Sequence, residues 1–140
     1  MTSMQAAVLA HAREMFPTPA GAYVLRHGRW FTEQPRPRGV RKRAAKACYN
    51  NAMHYVLDHP QDRYVEGFTA TAVGGLLVFQ HGWAADTSDR VIDPTLDRPQ
   101  DCLYFGVSFD CKTYCKLSAD AGYAASLFHD GAVPRPLAVC

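Results

Sequence analysis

The sequence predicts an α+β fold in which an antiparallel sheet packs on a central helix. Two helical patterns occupy the first 60 residues, and four short strand patterns follow between residues 63 and 109. Short turn-forming segments separate most of the strand patterns, which is typical of hairpin-linked antiparallel strands. With 140 residues, 48% of them apolar, the chain is long enough to bury a core, and we expect one domain over residues 1–140.

The first helix is predicted over Ser3–Phe16, where apolar residues recur at helical spacing and a proline closes the pattern. Residues 21–39 are expected to contain one or two short strand-like runs and a loop rich in proline and arginine. The central helix is predicted within residues 40–59, because it must end before Pro60. The apolar residues of that helix at core-facing spacing are Cys48, Ala52, Tyr55 and Val56.

The strands follow from apolar runs bounded by turn chemistry. Residues 72–75 (AVGG) and 86–89 (DTSD) are rich in turn formers, so they separate the first three strands. The four predicted strands are residues 63–71, 76–85, 90–95 and 103–109. A last helix is expected over Cys111–Phe128, and the tail that follows is expected to be irregular.

Composition and charge exclude several classes of protein. A net charge of +2 and a pI near 8.3 are too weakly basic for a dedicated nucleic-acid binder. No segment approaches the ~20 apolar residues of a membrane span, and no secretory signal is evident at the start. Five cysteines at spacings without a disulfide framework indicate free thiols in a reducing compartment, so a soluble, cytoplasmic protein is expected. They are Cys48, Cys102, Cys111, Cys115 and Cys140.

Cys48 is the strongest candidate for a reactive residue. It lies near the predicted start of the central helix, where the helix dipole favours the thiolate, the nucleophilic form of cysteine. Lys42, Arg43 and Lys46 add positive charge just before it. The dipole contribution weakens if the helix begins several residues before Cys48.

A thiolate catalyst also needs a base and a group that orients this base, and one predicted hairpin offers both. His81 and Asp93 lie on its two strands, with the turn near their midpoint, so a direct cross-strand pair is expected. Asp86 and Asp89 compete for the orienting role. Both fall in the predicted turn, where they are expected to be solvated, so Asp93 is preferred.

This arrangement resembles a family of enzymes. A helix-borne Cys48, then HGW (81–83) on a strand, then VIDPT (91–95) on the next strand, is similar to the transglutaminase-like cysteine enzymes of the papain-like superfamily. The resemblance covers residues 47–95, about a third of the chain. It implies that Cys48 is the nucleophile, His81 the base and Asp93 the orienter, with Trp83 as a wall of the substrate site beside His81.

The resemblance also implies a reaction. The thiolate attacks the carbonyl of a peptide or protein amide, and the thioacyl enzyme passes its acyl group to water or an amine, without a cofactor. The backbone N–H of Cys48 and a side-chain donor would stabilise the oxyanion. The papain-like glutamine upstream of the cysteine is missing here, since the nearest is Gln34. Trp30 or Tyr23 is therefore considered as the donor, and Asn51 either binds substrate or ties the helix to a loop.

Other interpretations remain open at this point. The chain could be a binding module, or an accessory protein of peptide maturation, on the same scaffold with Cys48 unused. The basic run from Arg36 to Lys46 could bind nucleic acid or an acidic partner. Cys111 and Cys115 share a helix face, but the second ligand pair of a structural zinc site is missing, so no metal is expected. Whether Glu66 projects into the site or into solvent is undetermined.

Overall fold

The computed structural model describes residues 1–138, which form an α+β fold with a curled antiparallel sheet of five strands. Cys140, predicted to be a free thiol, lies outside the described residues. The helices of residues 1–138 are α1 Ser3–Met15, α2 Pro19–His27, α3 Cys48–Asp58, α4 Cys111–Asp120 and α5 Arg135–Ala138. The strands are β1 Arg29–Phe31, β2 Arg63–Thr71, β3 Leu77–Ala85, β4 Val91–Ile92 and β5 Leu103–Phe109. The predicted class and the antiparallel sheet are thus confirmed.

The first two helices differ in how well the sequence predicts them. α1 is confirmed, and it begins with a capping box in which the side chains of Thr2 and Gln5 each accept from the other's backbone N–H. The structure contains one of the one or two strand-like runs predicted within residues 21–39, namely β1, but residues 21–27 belong to α2, a helix that was not predicted. Thr18 caps this helix by accepting from the N–H of Gly21 at 3.0 Å, and Pro19 opens it. Thr18 and Pro19 are typical of the start of a helix, whereas the apolar residues after them were read as strand-like.

The central helix α3 ends at Asp58, as predicted from Pro60, but it begins at Cys48 rather than near residue 40. The residues before it form a loop that is bonded to the turn after β4. The N–H of Arg43 donates to the carbonyl of Pro94 at 2.7 Å, so this backbone group is bonded to a distant part of the chain and not within a helix.

The sheet has the order β1-β5-β2-β3-β4, and every pair of neighbouring strands is antiparallel. Its two edges meet beyond β1, where Thr32 forms a parallel bridge with Arg90. The N–H of Thr32 donates to Asp89, and that of Val91 donates to Thr32, both at 2.8 Å. The sheet therefore curls until it almost closes, which leaves one face inside and the other covered by helices.

The strand predicted over residues 90–95 is shorter in the structure, where β4 contains only Val91 and Ile92. Pro94 has no N–H to donate to a sheet ladder, and the carboxylate of Asp93 binds the next two backbone N–H groups instead. The chain therefore turns immediately after β4, and Asp93 lies at that turn.

The last helix is also shorter than predicted, since α4 ends at Asp120 and not at Phe128. Gly122 and Tyr123 both adopt left-handed backbone conformations, with φ of 69° and 61°, and these end the helix. The tail predicted to be irregular contains the short helix α5.

Two apolar clusters lie on the two faces of the sheet. The larger cluster packs the helices on one face, and Phe68 is almost fully buried there. The smaller one fills the inside of the curl around Trp83, which has no exposed surface. Each large side chain buried in this way contributes about 1.5–3 kcal/mol to stability. Among the described residues, no helix combines the length and apolarity needed to cross a membrane.

Candidate active site

Cys48 is the first residue of α3, so its N–H and those of Tyr49 and Asn50 have no acceptor within the helix. Ala47 precedes it and offers no side-chain cap. Lys46 has a left-handed φ of 64°, which is uncommon for a residue with a Cβ and is a form of strain found near functional sites. The helix thus presents a half-buried thiol beside uncapped backbone donors.

The structure brings His81 and Asp93 together, with the Nε2 atom of the histidine 2.8 Å from Oδ2 of the aspartate. The prediction that His81 and Asp93 are directly opposite each other is wrong, because the register of β3 and β4 is different. Ala84 pairs with Ile92, and one further step along the hairpin puts Asp93 opposite Trp83. Asp93 therefore reaches His81 diagonally on the same face, a separation that side chains can bridge.

The carboxylate of Asp93 is completely buried and receives four hydrogen bonds. Its Oδ2 accepts from His81 and from the hydroxyl of Tyr104, each at 2.8 Å, while Oδ1 accepts from the N–H groups of Thr95 at 2.9 Å and Leu96 at 3.3 Å. Burial raises the pKa of Asp93, but the hydrogen bonds and the charge of His81 outweigh it and hold the pKa below its usual value. Asp93 is therefore a fixed anion.

His81 lies between two acidic groups. Because its Nε2 faces Asp93, Nδ1 is the ring nitrogen that remains for Cys48, whose side chain lies close enough to raise the pKa of the ring. Burial lowers the pKa of His81, but the hydrogen bonds and charges of Asp93 and Cys48 outweigh it and raise the pKa to about 9. The imidazole is thus protonated at neutral pH, which is the state that an imidazolium–thiolate pair requires.

Three aromatic rings pack around the imidazole of His81 on the inner face of the curled sheet. The ring centroids of Trp83, Phe79 and Tyr104 lie 6.0, 5.7 and 6.3 Å from that of His81. Trp83 was predicted to wall the substrate site, but it is completely buried, and its indole N–H has no hydrogen-bond partner among the described residues. It therefore supports the imidazole from the core rather than facing a cleft.

Asn51 ties α3 to the neighbouring loops, which is one of its two predicted alternatives. Its side chain is almost fully buried, and Nδ2 donates to the carbonyl of Ala44 at 2.8 Å and to Oγ1 of Thr95 at 2.9 Å. Thr95 in turn donates its N–H to Asp93. Asn51 thus connects the helix that carries Cys48 with the turn that carries Asp93.

Trp30 and Tyr23, the predicted oxyanion donors, contact other aromatic side chains. The ring of Trp30 meets the edge of Phe105 at 5.1 Å, and that of Tyr23 lies 4.4 Å from His27 and 5.8 Å from Phe128. These ring contacts belong to the larger cluster and include none of the three predicted catalytic residues. A donor role for either side chain stays a prediction.

Tyr49 and Gly82 are neighbours of the site that the sequence interpretation missed. They directly follow Cys48 and His81 in the chain. A Cβ added to Gly82 would lie 2.7 Å from Cδ1 of Tyr49, so only glycine permits this approach of α3 to β3. The glycine within HGW was the available signal, because a residue without a side chain in a strand often marks a close approach.

Glu66 faces neither solvent nor an open cleft, because it is only 2% exposed. Its carboxylate accepts from the hydroxyl of Tyr64 at 2.5 Å, the N–H of Leu127 at 2.6 Å and the hydroxyl of Ser126 at 2.8 Å. Burial raises the pKa of Glu66, and these hydrogen bonds only partly oppose that effect. Glu66 thus fastens the segment after α4 to the sheet.

A small cavity of about 30 Å³ lies beside this carboxylate, enough for one or two waters. Tyr49 and Gln80 both line it, and they adjoin the predicted nucleophile and base in sequence. Burial and the charges of Glu66 and Cys48 raise the pKa of Tyr49. Neither Cys48 nor His81 is among the residues that line the cavity.

The competing aspartates of the hairpin turn have other partners. Asp86 accepts from the N–H groups of Ser88 and Arg90, and so closes the turn. Asp89 is ion-paired with both Arg29 and Arg63, at 2.9 and 2.5 Å, and is less solvated than predicted. Each has a structural role at the turn, while Asp93 alone of the three contacts His81.

In residues 1–138, no group of three or more His, Cys, Asp or Glu side chains is arranged to hold a metal ion. Cys111 and Cys115 lie one turn apart on α4, whereas Cys102 packs against the smaller cluster. The cysteines of the described residues form no disulfide.

We compared the chain with models of protein families, with curated proteins and with solved structures, and found no match in any of the three.

Proposed function

We propose that this protein is a cysteine-nucleophile hydrolase or acyltransferase with a transglutaminase-like, papain-like core, acting on amides of peptides or proteins. Cys48 would be the nucleophile, His81 the general base and acid, and Asp93 the residue that orients the imidazole. The order of these residues in the chain, and a helix packed on an antiparallel sheet, support this proposal.

One observation carries the proposal. The imidazole of His81 is held on Nε2 by a buried, fully bonded Asp93, which leaves its other nitrogen for a cysteine at an uncapped helix start. A nucleophile, a base and an orienter in contact are the minimum arrangement for thiol catalysis. A cysteine that served only as a core residue would not need a charged base beside it.

The reaction would proceed in two steps. The thiolate of Cys48 attacks the amide carbonyl carbon, and the carbonyl oxygen becomes an oxyanion near the free N–H groups at the start of α3. The tetrahedral intermediate collapses to a thioester as His81 gives its proton to the departing amine. Water then attacks the thioester while His81 accepts a proton, and a carboxylic acid leaves as the thiolate and imidazolium form again.

Hydrolysis is the outcome that we favour over amine transfer. An amine acceptor competes successfully with water only where the site shields the thioester from solvent. Cys48 is only half-buried, which leaves a thioester on it open to water. A protease, amidase or deamidase therefore fits better than a cross-linking enzyme.

The test is the pH dependence of Cys48 alkylation by iodoacetamide, with peptide mass spectrometry to locate the label. Wild-type Cys48 should react well below pH 8.5, the region where a free thiol begins to ionise, and His81→Ala should slow it about tenfold or more at pH 6. Cys115, which is exposed, is the internal reference for an ordinary thiol. If Cys48 reacts no faster than Cys115 and His81→Ala changes nothing, the chain is better regarded as a binding or accessory module.

A further inference from the structure

The basic run that precedes α3 has no part in the predicted triad. Among its cations, the guanidinium of Arg36 binds the carbonyl of Leu96 at 2.9 Å, and Lys42 pairs with Asp97 at 2.6 Å. Arg41 and Arg43 are exposed and form no ion pair in residues 1–138. Both cations are thus available for a partner outside the chain, as are Arg38 and Lys46, which are also exposed.

These cations line a groove of about 450 Å³ between the loop and one side of α3. No carboxylate lines it; apart from Ala44, its walls are Arg41, Lys42, Arg43, Asn50, Asn51 and His54. Cations, the side-chain amide of Asn50 and the imidazole of His54 are groups that bind anionic oxygens, whereas the amide N–H groups of Asn51 are already bonded within the chain. The groove shares α3 with Cys48, because Asn50, Asn51 and His54 lie two, three and six residues further along that helix.

The loop that carries the cations is fixed rather than free. The N–H of Arg43 donates to Pro94, and the carbonyl of Ala44 accepts from Asn51 at 2.8 Å. A third bond, from Val40 to Pro37, closes the turn before them. A groove whose backbone is already ordered loses less conformational entropy when a ligand binds.

We propose that this groove binds an acidic segment of the peptide or protein substrate, an inference that rests on the proposed function. Aspartate or glutamate side chains of the substrate would contact Arg41 and Arg43 and so bring a neighbouring amide to Cys48. The attraction acts over a Debye length of about 8 Å at physiological salt, comparable to the separation of one or two helical turns.

The small extent of the basic surface favours an acidic peptide over a nucleic acid as the ligand. Asp97 pairs with Lys42, and Asp58 lines the neighbouring cavity with Arg41 and Arg43, so acidic residues border the basic surface. A nucleic-acid backbone is usually bound by a longer basic stripe on a more basic domain than one of net charge +2.

The experiment measures binding in a Cys48→Ser background, so that no reaction can occur. A short fluorescent peptide rich in aspartate, and the same peptide with asparagine at those positions, are titrated with the protein and followed by anisotropy. The aspartate peptide should bind about tenfold more tightly, and the advantage should shrink as salt is raised. The double variant Arg41→Gln with Arg43→Gln should abolish this preference for the aspartate peptide.

The matched control removes two cations elsewhere, Arg13→Gln on α1 with Arg26→Gln on α2, and should leave the preference intact. Equal binding of the two peptides, or equal loss in the control, would overturn the proposal. A single-stranded oligonucleotide that binds more tightly than the acidic peptide would overturn it in favour of nucleic acid. Because the serine variant is used, these results do not depend on whether Cys48 is a working nucleophile, which the alkylation assay tests separately.

Discussion

The ring of Tyr49 lies on the bare backbone of Gly82, where an added Cβ would be 2.7 Å from Cδ1 of the ring. Tyr49 directly follows Cys48 on α3, and Gly82 directly follows His81 on β3. This contact therefore sets the distance between the two elements close to the point where the thiol meets the imidazole. It is the packing that the proposed reactive pair depends on.

Gly82→Ala should separate the helix from the strand, because a methyl group cannot fit against the Tyr49 ring. We expect the free energy of unfolding to fall by about 1–3 kcal/mol, the usual cost of overpacking. Alkylation of Cys48 should slow as well, since the thiol moves away from His81. Chemical denaturation and iodoacetamide kinetics measure the two effects.

The cost of Gly82→Ala is also measured in a Tyr49→Ala variant, in which the ring that the methyl group would meet is absent. If the clash is the cause, Gly82→Ala should cost much less stability when Tyr49 is already truncated, which a double-mutant cycle reports as a coupling energy. Equal costs in both backgrounds would show that Gly82 is needed for its backbone and not for this contact.

Asp93→Asn keeps the size of the side chain but removes its charge. Without the anion, the imidazolium of His81 loses its main support, so we expect Cys48 alkylation near pH 6 to slow by about tenfold or more. Asp89→Asn in the same hairpin is the control, since asparagine tolerates the left-handed backbone at that position, where φ is 59°. The control should lose stability but keep the rate of Cys48; equal slowing in both variants would contradict the assignment of Asp93.

Tyr104→Phe removes the hydroxyl that shares Oδ2 of Asp93 with His81. Both groups are buried, and a hydrogen bond to a carboxylate contributes about 1.5–3 kcal/mol. We expect the free energy of unfolding at pH 7 to fall by that amount, measured by chemical denaturation. Tyr123→Phe, at a side chain that is mostly exposed, should be nearly neutral; a similar loss there would show that the effect is not specific to Asp93.

The sheet was predictable from the sequence because its strands are short apolar runs between turn formers. The end of α3 was predictable because Pro60 forbids a longer helix. The meeting of His81 with Asp93 was also foreseen, although not its register. The alternation of apolar residues along the strands indicates that His81 and Asp93 share one face of the hairpin. The turn type and the bend after β4 decide which residue of the partner strand lies opposite each of them.

Other features depend on contacts between distant parts of the chain. α3 begins at Cys48 because Arg43 bonds to the turn after β4, which helix propensity cannot reveal. The environment of Glu66 is supplied by Ser126 and Leu127, about sixty residues away. The family resemblance implies that Trp83 walls a cleft, but only the closure of the sheet shows that this side chain is enclosed.

The raised pKa of His81 makes the stability of the protein depend on pH in a defined direction. The pKa is about 9 in the folded chain and 6.5 as the ordinary value expected after unfolding. Between these values the folded state retains a proton that the unfolded state has lost. The stabilisation is therefore complete below about pH 6.5, decreases as the pH rises, and is absent above about pH 9.

The decrease is measured in Cys48→Ser, where no thiolate offsets the proton held by His81, as the free energy of unfolding at a series of pH values, and we expect at most about 3 kcal/mol. His81→Gln should remove the decrease, because glutamine does not titrate. In the wild type the decrease should be smaller, because the proposed Cys48 thiolate has given up a proton that the thiol of the unfolded chain keeps. A decrease that persists unchanged in His81→Gln would mean that another group titrates in this window, and that His81 is not the cation of the site.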